Sequence, residues 1–201
     1  KRAAFLAFGV AGVAGLVLAA STAWWLLAVG AVSVLAAWFY TGGSTPYGYL
    51  GLGEVMVFVF FGLVAVIGTT YVQIEAWSWA AWWAGVGIGA LACAILVVNN
   101  LRDIPTDTVA GKLTLAVRLG DRRTRRLYTA LVLAAALCVV AVAAITTWWA
   151  LAGLGFLVVA GRGVRVVMGG AVGPGLIPVL QTTGVAELAW AALVTVPLAL
   201  V

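Results

Sequence analysis

Nearly uncharged apolar stretches recur along the whole chain, at about 3–20, 22–40, 54–71, 79–98, 128–147, 148–167 and 185–201. Each is close to the roughly 20 residues that a helix needs to cross a hydrocarbon layer. In lipid every backbone N–H and C=O must find a partner within the protein, which leaves helices or closed barrels. Continuous apolar runs, rather than alternating ones, select helices. Hydrophobic residues make up 65% of the chain and charged residues 8%, against about 25% charged in a soluble domain. The expected fold is therefore an all-α, polytopic transmembrane bundle of about seven helices, formed by residues 1–201 as one membrane domain. A single signal peptide ahead of a soluble domain is excluded, because the apolar runs do not stop.

The eleven Lys and Arg residues sit between these runs. Lys1 and Arg2 precede the first. Arg102, Lys112, Arg118, Arg122, Arg123, Arg125 and Arg126 lie between the fourth and fifth, and Arg162 and Arg165 end the sixth. Seven spans place all three groups on one side, and the positive-inside rule makes that side cytoplasmic. The connections near Ser21, Gln73–Ser78 and Thr147 carry no basic residue. Eight tryptophans (Trp24, Trp25, Trp77, Trp79, Trp82, Trp83, Trp148 and Trp149) cluster at those opposite ends, as an interfacial belt would. This charge pattern sets membrane orientation and gives no reason to invoke nucleic acid. Cys93 and Cys138 lie inside apolar runs and read as small core residues. With no His and no paired Cys motif, a zinc site is not expected.

Two cytoplasmic loops exceed what a connection needs, Thr41–Gly53 and Asn99–Leu127. The second opens with NNLRDIPTD, in which Asn99, Asp103 and Asp107 are spaced four apart. On a helix such residues share one face, drifting by about 40° per step. Pro105 suits the first turn of a new helix better than the middle of one, which would make Asp103 an N-cap. Two readings of the acids stand side by side. They cap a helix next to a lipid-anchoring Arg run, or they hold Mg²⁺, which takes one or two carboxylates and bridges them to substrate phosphates. Arg102, Lys112 and Arg118 would then face the phosphates. Two of only six acids occur at this spacing. Both sit at the end of a span, where acids tend to be functional. In the first loop Tyr40, Tyr47 and Tyr49 read either as turn residues or as an aromatic lining able to stabilise a cation. Glu54 reads as a helix-N-terminal acid.

Three stretches, YTGGSTPYGYLGLGE (Tyr40–Glu54), NNLRDIPTD (Asn99–Asp107) and GKLTLAVRLG (Lys112–Gly120), resemble the UbiA superfamily of intramembrane aromatic prenyltransferases. Within it they are most similar to the branch that prenylates 1,4-dihydroxy-2-naphthoate. The resemblance implies a nine-helix fold with two Asp-rich motifs, of which this chain matches helices three to nine and the second motif. The first motif and the helices before it are absent, and Val201 falls within an apolar run. A piece of a longer protein is therefore expected, with little activity on its own. The resemblance further implies a bacterial plasma-membrane enzyme. Its substrates would be polyprenyl diphosphate and dihydroxynaphthoate, and its products demethylmenaquinol and CO₂. Asp103 and Asp107 would be catalytic and, with Asn99, would bind Mg²⁺. The alternatives on residues alone are a small transporter or channel, or a non-catalytic membrane subunit. Transport is disfavoured by the expected lack of an acid or base in mid-span.

The charge pattern yields a topology test. A cysteine introduced at Thr108 should react with an impermeant thiol reagent only after cells are opened, and one at Gln73 should react in intact cells. Labelling of the Thr108 position in intact cells would overturn the orientation.

Overall fold

The structure is a computed structural model, and it describes residues 2–43 and 46–200. Lys1, Ser44, Thr45 and Val201, which entered the readings of the first charge group, the Thr41–Gly53 loop and the final apolar run, lie outside the described residues. The described chain is helical with no strand. Seven long helices appear: α1 Arg2–Ser21, α2 Leu26–Thr41, α3 Gly53–Ile74, α4 Trp79–Val109, α6 Asp121–Ile145, α7 Trp148–Met168 and α8 Gly173–Ala199. A short helix, α5 Leu115–Leu119, and a single 3₁₀ turn at Tyr47–Leu50 occupy the connections. Helices α3, α4, α6, α7 and α8 are long and apolar enough to cross a bilayer, and α1 and α2 are shorter apolar helices. The chain is thus a multi-pass membrane bundle.

Helix α4 is the axis of the bundle. It packs on α3, α5, α6 and α8, most extensively on α6. Ser78 starts it, its Oγ accepting from Ala81 N at 3.4 Å. The core around it holds Leu91, Val97, Val98, Tyr128, Val139, Phe156 and Trp190, all essentially buried. The two polar rings in that core are satisfied. Tyr128 Oη pairs with Thr183 Oγ1 at 2.9 Å, and Trp190 Nε1 donates to Ala135 O at 3.0 Å. The cysteines are free and buried as expected, and Cys93 Sγ donates to Glu54 O at 3.0 Å. Trp25 stacks on Trp77 with centroids 6.1 Å apart, and Tyr71 lies against both rings. This joins two of the tryptophan-bearing turns at one end of the bundle.

The structure corrects three expectations. The segment Asn99–Leu127 is not a long loop. Helix α4 runs on to Val109, and α6 begins at Asp121, seven residues before the expected start. Pro105 does not open a new helix but lies inside α4, so Asp103 is a mid-helix residue rather than an N-cap. A proline in a helix interior costs about 3 kcal/mol. The helix nonetheless continues past it, with Leu101 buried before it and Asp107 buried after it. The turn closes only beyond, where Ala110 N donates to Thr106 O at 2.9 Å and Gly111 takes a left-handed φ of 71°. Finally, α8 starts at Gly173 rather than near 185, which places Glu187 in mid-span, contrary to the expectation of none.

The Arg run is not uniform either. Arg122, Arg123 and Arg126 are exposed, but Arg125 is buried. It makes a two-pronged ion pair with Asp121 at 2.7 Å and donates to Val167 O and to Ala171 O, tying α6 to the end of α7.

Helix α3 contains a π-helical segment, Phe58–Val64, where it crosses α4. Gly62 there faces Gly85 and Gly89, a small-xxx-small pair that lets the two backbones touch. A Cβ on Gly62 would stand 2.5 Å from Gly89 Cα and 2.6 Å from Gly85 O. Gly62→Ala should therefore destabilise the bundle by about 1–3 kcal/mol, read as a lower thermal unfolding midpoint in detergent. Gly68→Ala on the same helix, with open space at its Cβ position, should not. Equal effects of the two would remove the close-approach argument.

Candidate functional site

Because α4 is continuous, Asn99, Asp103 and Asp107 do share one face, and all three line a single polar cavity of about 120 Å³. A 1.5 Å rise puts Asn99 about 30 Å along α4 from Trp79, roughly the thickness of the hydrocarbon layer. The acids follow about 6 and 12 Å further on. The rest of the lining comes from other parts of the chain: Tyr40 at the end of α2, Gly48 and Tyr49 in the 3₁₀ turn, Asn100 beside Asn99, and Lys112 and Thr114 after α4. Leu113 N donates to Tyr49 O at 2.9 Å, so the turn after α4 and the tyrosine-bearing loop are held together by backbone.

The acids are already engaged. Arg102 Nε and Nη2 reach Asp103 Oδ1 and Oδ2, each at 2.7 Å, and Nη2 also donates to Asn99 Oδ1 at 3.0 Å. Asn99 Nδ2 points at Asp103 Oδ2 from 3.4 Å. Asp107 is buried, with Lys112 Nζ 3.5 Å from its Oδ1 and the same ammonium 4.8 Å above the Tyr49 ring. Two carboxylates therefore stand against two cations. Among the described residues no three Asp, Glu, Cys or His side chains converge as a metal cage. Two carboxylates with neighbouring amide oxygens instead suit a hard cation that brings its remaining oxygen ligands with a phosphate substrate.

Not every expected residue enters the cavity, and Arg102 does not line it but meets it through Asn99 and Asp103. Arg118 is exposed, its Nε donating to Leu113 O at 3.1 Å beside Gly51. Tyr47 lies on the far side of Tyr40, edge-on to it at 5.6 Å, and its hydroxyl donates to Ala36 O. Burial pushes the Tyr47 phenol above its ordinary range, so it remains a donor at neutral pH. Tyr40 and Tyr47 also line a second, larger space, an open apolar groove of about 590 Å³ between α2 and α3 that runs past Phe60, Phe61 and Val64. The polar cavity and the apolar groove share Tyr40 as a wall.

Asn100, Gly48 and Thr114 escaped the sequence reading. Asn100 is about 100° round the helix from Asn99 and outside the four-residue spacing. The other two approach only through the fold. Glu54 does sit in the first turn of α3, as expected, but it is buried and bound to Asn100. No local signal links two residues so far apart in the chain.

The chain is 52% identical over 189 residues to the 1,4-dihydroxy-2-naphthoate octaprenyltransferase of Mycobacterium tuberculosis, covering 94% of this chain and 64% of that relative. The Escherichia coli enzyme of the same name is 44% identical over 112 residues, 56% of this chain and 36% of that protein. The 2-carboxy-1,4-naphthoquinone phytyltransferase of Synechocystis is 32% identical over 117 residues, 57% of this chain and 38% of that protein. No solved structure matches. The chain thus spans a little under two thirds of the length of its full-length relative from M. tuberculosis. The model of the UbiA prenyltransferase family matches residues 1–168, a range that takes in the whole α4 face, the two tyrosine-bearing walls and the Lys112 turn; the chain belongs to the UbiA prenyltransferase family.

Proposed function

We propose that the protein transfers a polyprenyl group from a polyprenyl diphosphate to 1,4-dihydroxy-2-naphthoate, giving demethylmenaquinol and CO₂ in menaquinone biosynthesis. The observation that carries this reading is the meeting of a small charged cavity and a large apolar groove at Tyr40. A polyprenyl diphosphate has the same division, a polyanionic head on a hydrocarbon tail. The relatives named 1,4-dihydroxy-2-naphthoate octaprenyltransferase point to the same substrates. A transporter or a non-catalytic subunit gives no reason for this pairing of cavities, although Glu187 in mid-span removes one argument against transport.

Members of the family are generally dependent on a divalent metal, and Mg²⁺ is the ion that this donor set suits. Bound there, it would neutralise diphosphate charge and make the group a better leaving group. Asp103 and Asp107 are the residues that would hold it, with Asn99 beside them. As they turn to the metal they would loosen their hold on Arg102 and Lys112, and those two cations would then be free to bind the phosphate oxygens. Binding is an exchange of partners: carboxylates pass to the metal and cations to the diphosphate, so no charge is left alone. Arg118, outside the cavity, would join only if the Leu113 contact opens. Tyr40 presents its ring where the allylic carbon becomes positive, and the quadrupole favours that charge. Tyr49 and Tyr47 extend the aromatic wall on either side. As the ring carbon bearing the carboxylate bonds to the allylic carbon, the carbon–oxygen bond to diphosphate breaks. The carboxylate then leaves as CO₂, returning its electron pair to the ring. The charged ends of α4 and α6 are assigned to the cytoplasmic side of a bacterial plasma membrane.

In the intact protein, Asp103→Ala and Asp107→Ala should each lower EDTA-sensitive formation of prenylated naphthoquinol by at least about tenfold, a typical loss for groups around a metal, while the protein stays folded. Lys112→Ala should chiefly raise KM for the polyprenyl diphosphate. Near-wild-type turnover by both Asp variants would defeat the assignment.

A further inference from the structure

Two neighbouring amides border the cavity, and they are held differently. Asn99 Oδ1 accepts from Arg102 Nη2 at 3.0 Å, so its oxygen is engaged. Asn100 is held from the other side: its Nδ2 donates to Glu54 Oε1 at 2.9 Å. A carboxylate only accepts, so the partner it draws from an amide is the nitrogen. Asn100 Oδ1 is thereby turned away from Glu54, and among the described residues it accepts no hydrogen bond and is not sealed from the cavity that Asn100 lines.

Glu54 has no other evident use. It is 7% exposed, and its second oxygen, Oε2, is buried without a hydrogen-bond partner. A buried acceptor left unpaired is costly, and a purely structural residue at this position would carry that cost for nothing. Its location is rigid. It lies in the first turn of α3, where the helix N-terminus favours a negative charge, and Cys93 Sγ of α4 binds its carbonyl.

We propose that Glu54 is a positioning residue: it grips the Asn100 amide by the nitrogen and so presents Asn100 Oδ1, beside Asp103 and Asp107, as the free neutral oxygen that receives the divalent cation of the diphosphate. This rests on the reading of the cavity as a diphosphate site. Asp103 and Asp107 start out paired with Arg102 and Lys112, whereas Asn100 Oδ1 has no partner to give up. With Asp107 Oδ2, which also accepts no hydrogen bond among the described residues, it can meet an incoming cation before those ion pairs open.

The test is Mn²⁺ binding to the intact protein in nanodiscs, followed by EPR without substrate, with prenyl transfer assayed in parallel. Glu54→Leu should weaken Mn²⁺ affinity about tenfold, as loss of an orienting partner does, and Asn100→Ala should do the same. The double variant should be no weaker than Asn100→Ala, because Glu54 acts through Asn100. Glu54→Gln should restore affinity to within about twofold of wild type, since its carbonyl can still accept from Asn100. In Glu54→Leu the transfer rate should recover as the metal concentration rises, with KM for the aromatic acceptor unmoved. Additive losses in the double variant, or a Glu54→Gln as weak as Glu54→Leu, would overturn the proposal by showing that Glu54 acts through its own charge. If Glu54→Leu does not fold, the reversed pair Glu54→Gln with Asn100→Asp serves instead. There the introduced amide donates to the introduced carboxylate, and Mn²⁺ affinity should equal or exceed wild type; a tenfold loss would overturn the proposal. Mn²⁺ binding that behaves in this way without any naphthoate prenylation by wild type would leave the positioning role standing and sink the substrate reading alone.

Discussion

The unbroken run of α4 through Pro105 is the constraint on which the site depends. A helix of 31 residues is about 46 Å long, against a hydrocarbon layer of about 30 Å. The excess carries the Asn99, Asp103 and Asp107 face out of the lipid without releasing it from the rigid core. A break at Pro105 would have put Asp107 on a separate element, free to move relative to Asp103. The helix continues in spite of the lost backbone hydrogen bond, and the two acids stay in register.

The same helix is anchored at its other end by close backbone contact. Gly62 against Gly85 and Gly89 brings α3 onto α4 with no side chains between them. Dispersion and packing drive such association in lipid, where apolar burial gives little. Glu54 lies on α3, one turn before the π-helical segment that makes the crossing. The position of the carboxylate against Asn100 therefore follows from glycine contacts deeper in the bundle. Arg125 plays a comparable part at the charged end, where one buried guanidinium satisfies carbonyls at the end of α7 and holds that turn against α6.

Electrostatically the cavity is a closed set of exchangeable pairs. Arg102 holds Asp103 and Lys112 holds Asp107, so neither acid is left as an isolated charge at the edge of a low-dielectric region, where it would be costly. A metal diphosphate offers both halves of each pair a new partner at once. The arrangement favours ligands that bring cation and anion together over either ion alone. Tyr40, common to this cavity and to the α2–α3 groove, sets the boundary between the charged and apolar parts of such a ligand.

The sequence by itself determined the class of fold, the seven apolar helices, the four-residue spacing of Asn99, Asp103 and Asp107, and the family. Each of these is written in local hydropathy, four-residue spacing or contiguous motifs, and lipid leaves the backbone few alternatives to helix. Only the tertiary structure decided that Pro105 would not stop α4, that Arg125 would be buried while its neighbours are exposed, that Arg118 and Tyr47 would lie outside the polar cavity, and that Glu54 would meet Asn100 from 46 positions away. Those outcomes depend on which helix faces pack together. Packing compares energies across distant segments, and a local penalty such as a helical proline, or a local preference such as a solvated arginine, yields when the contacts made elsewhere are worth more.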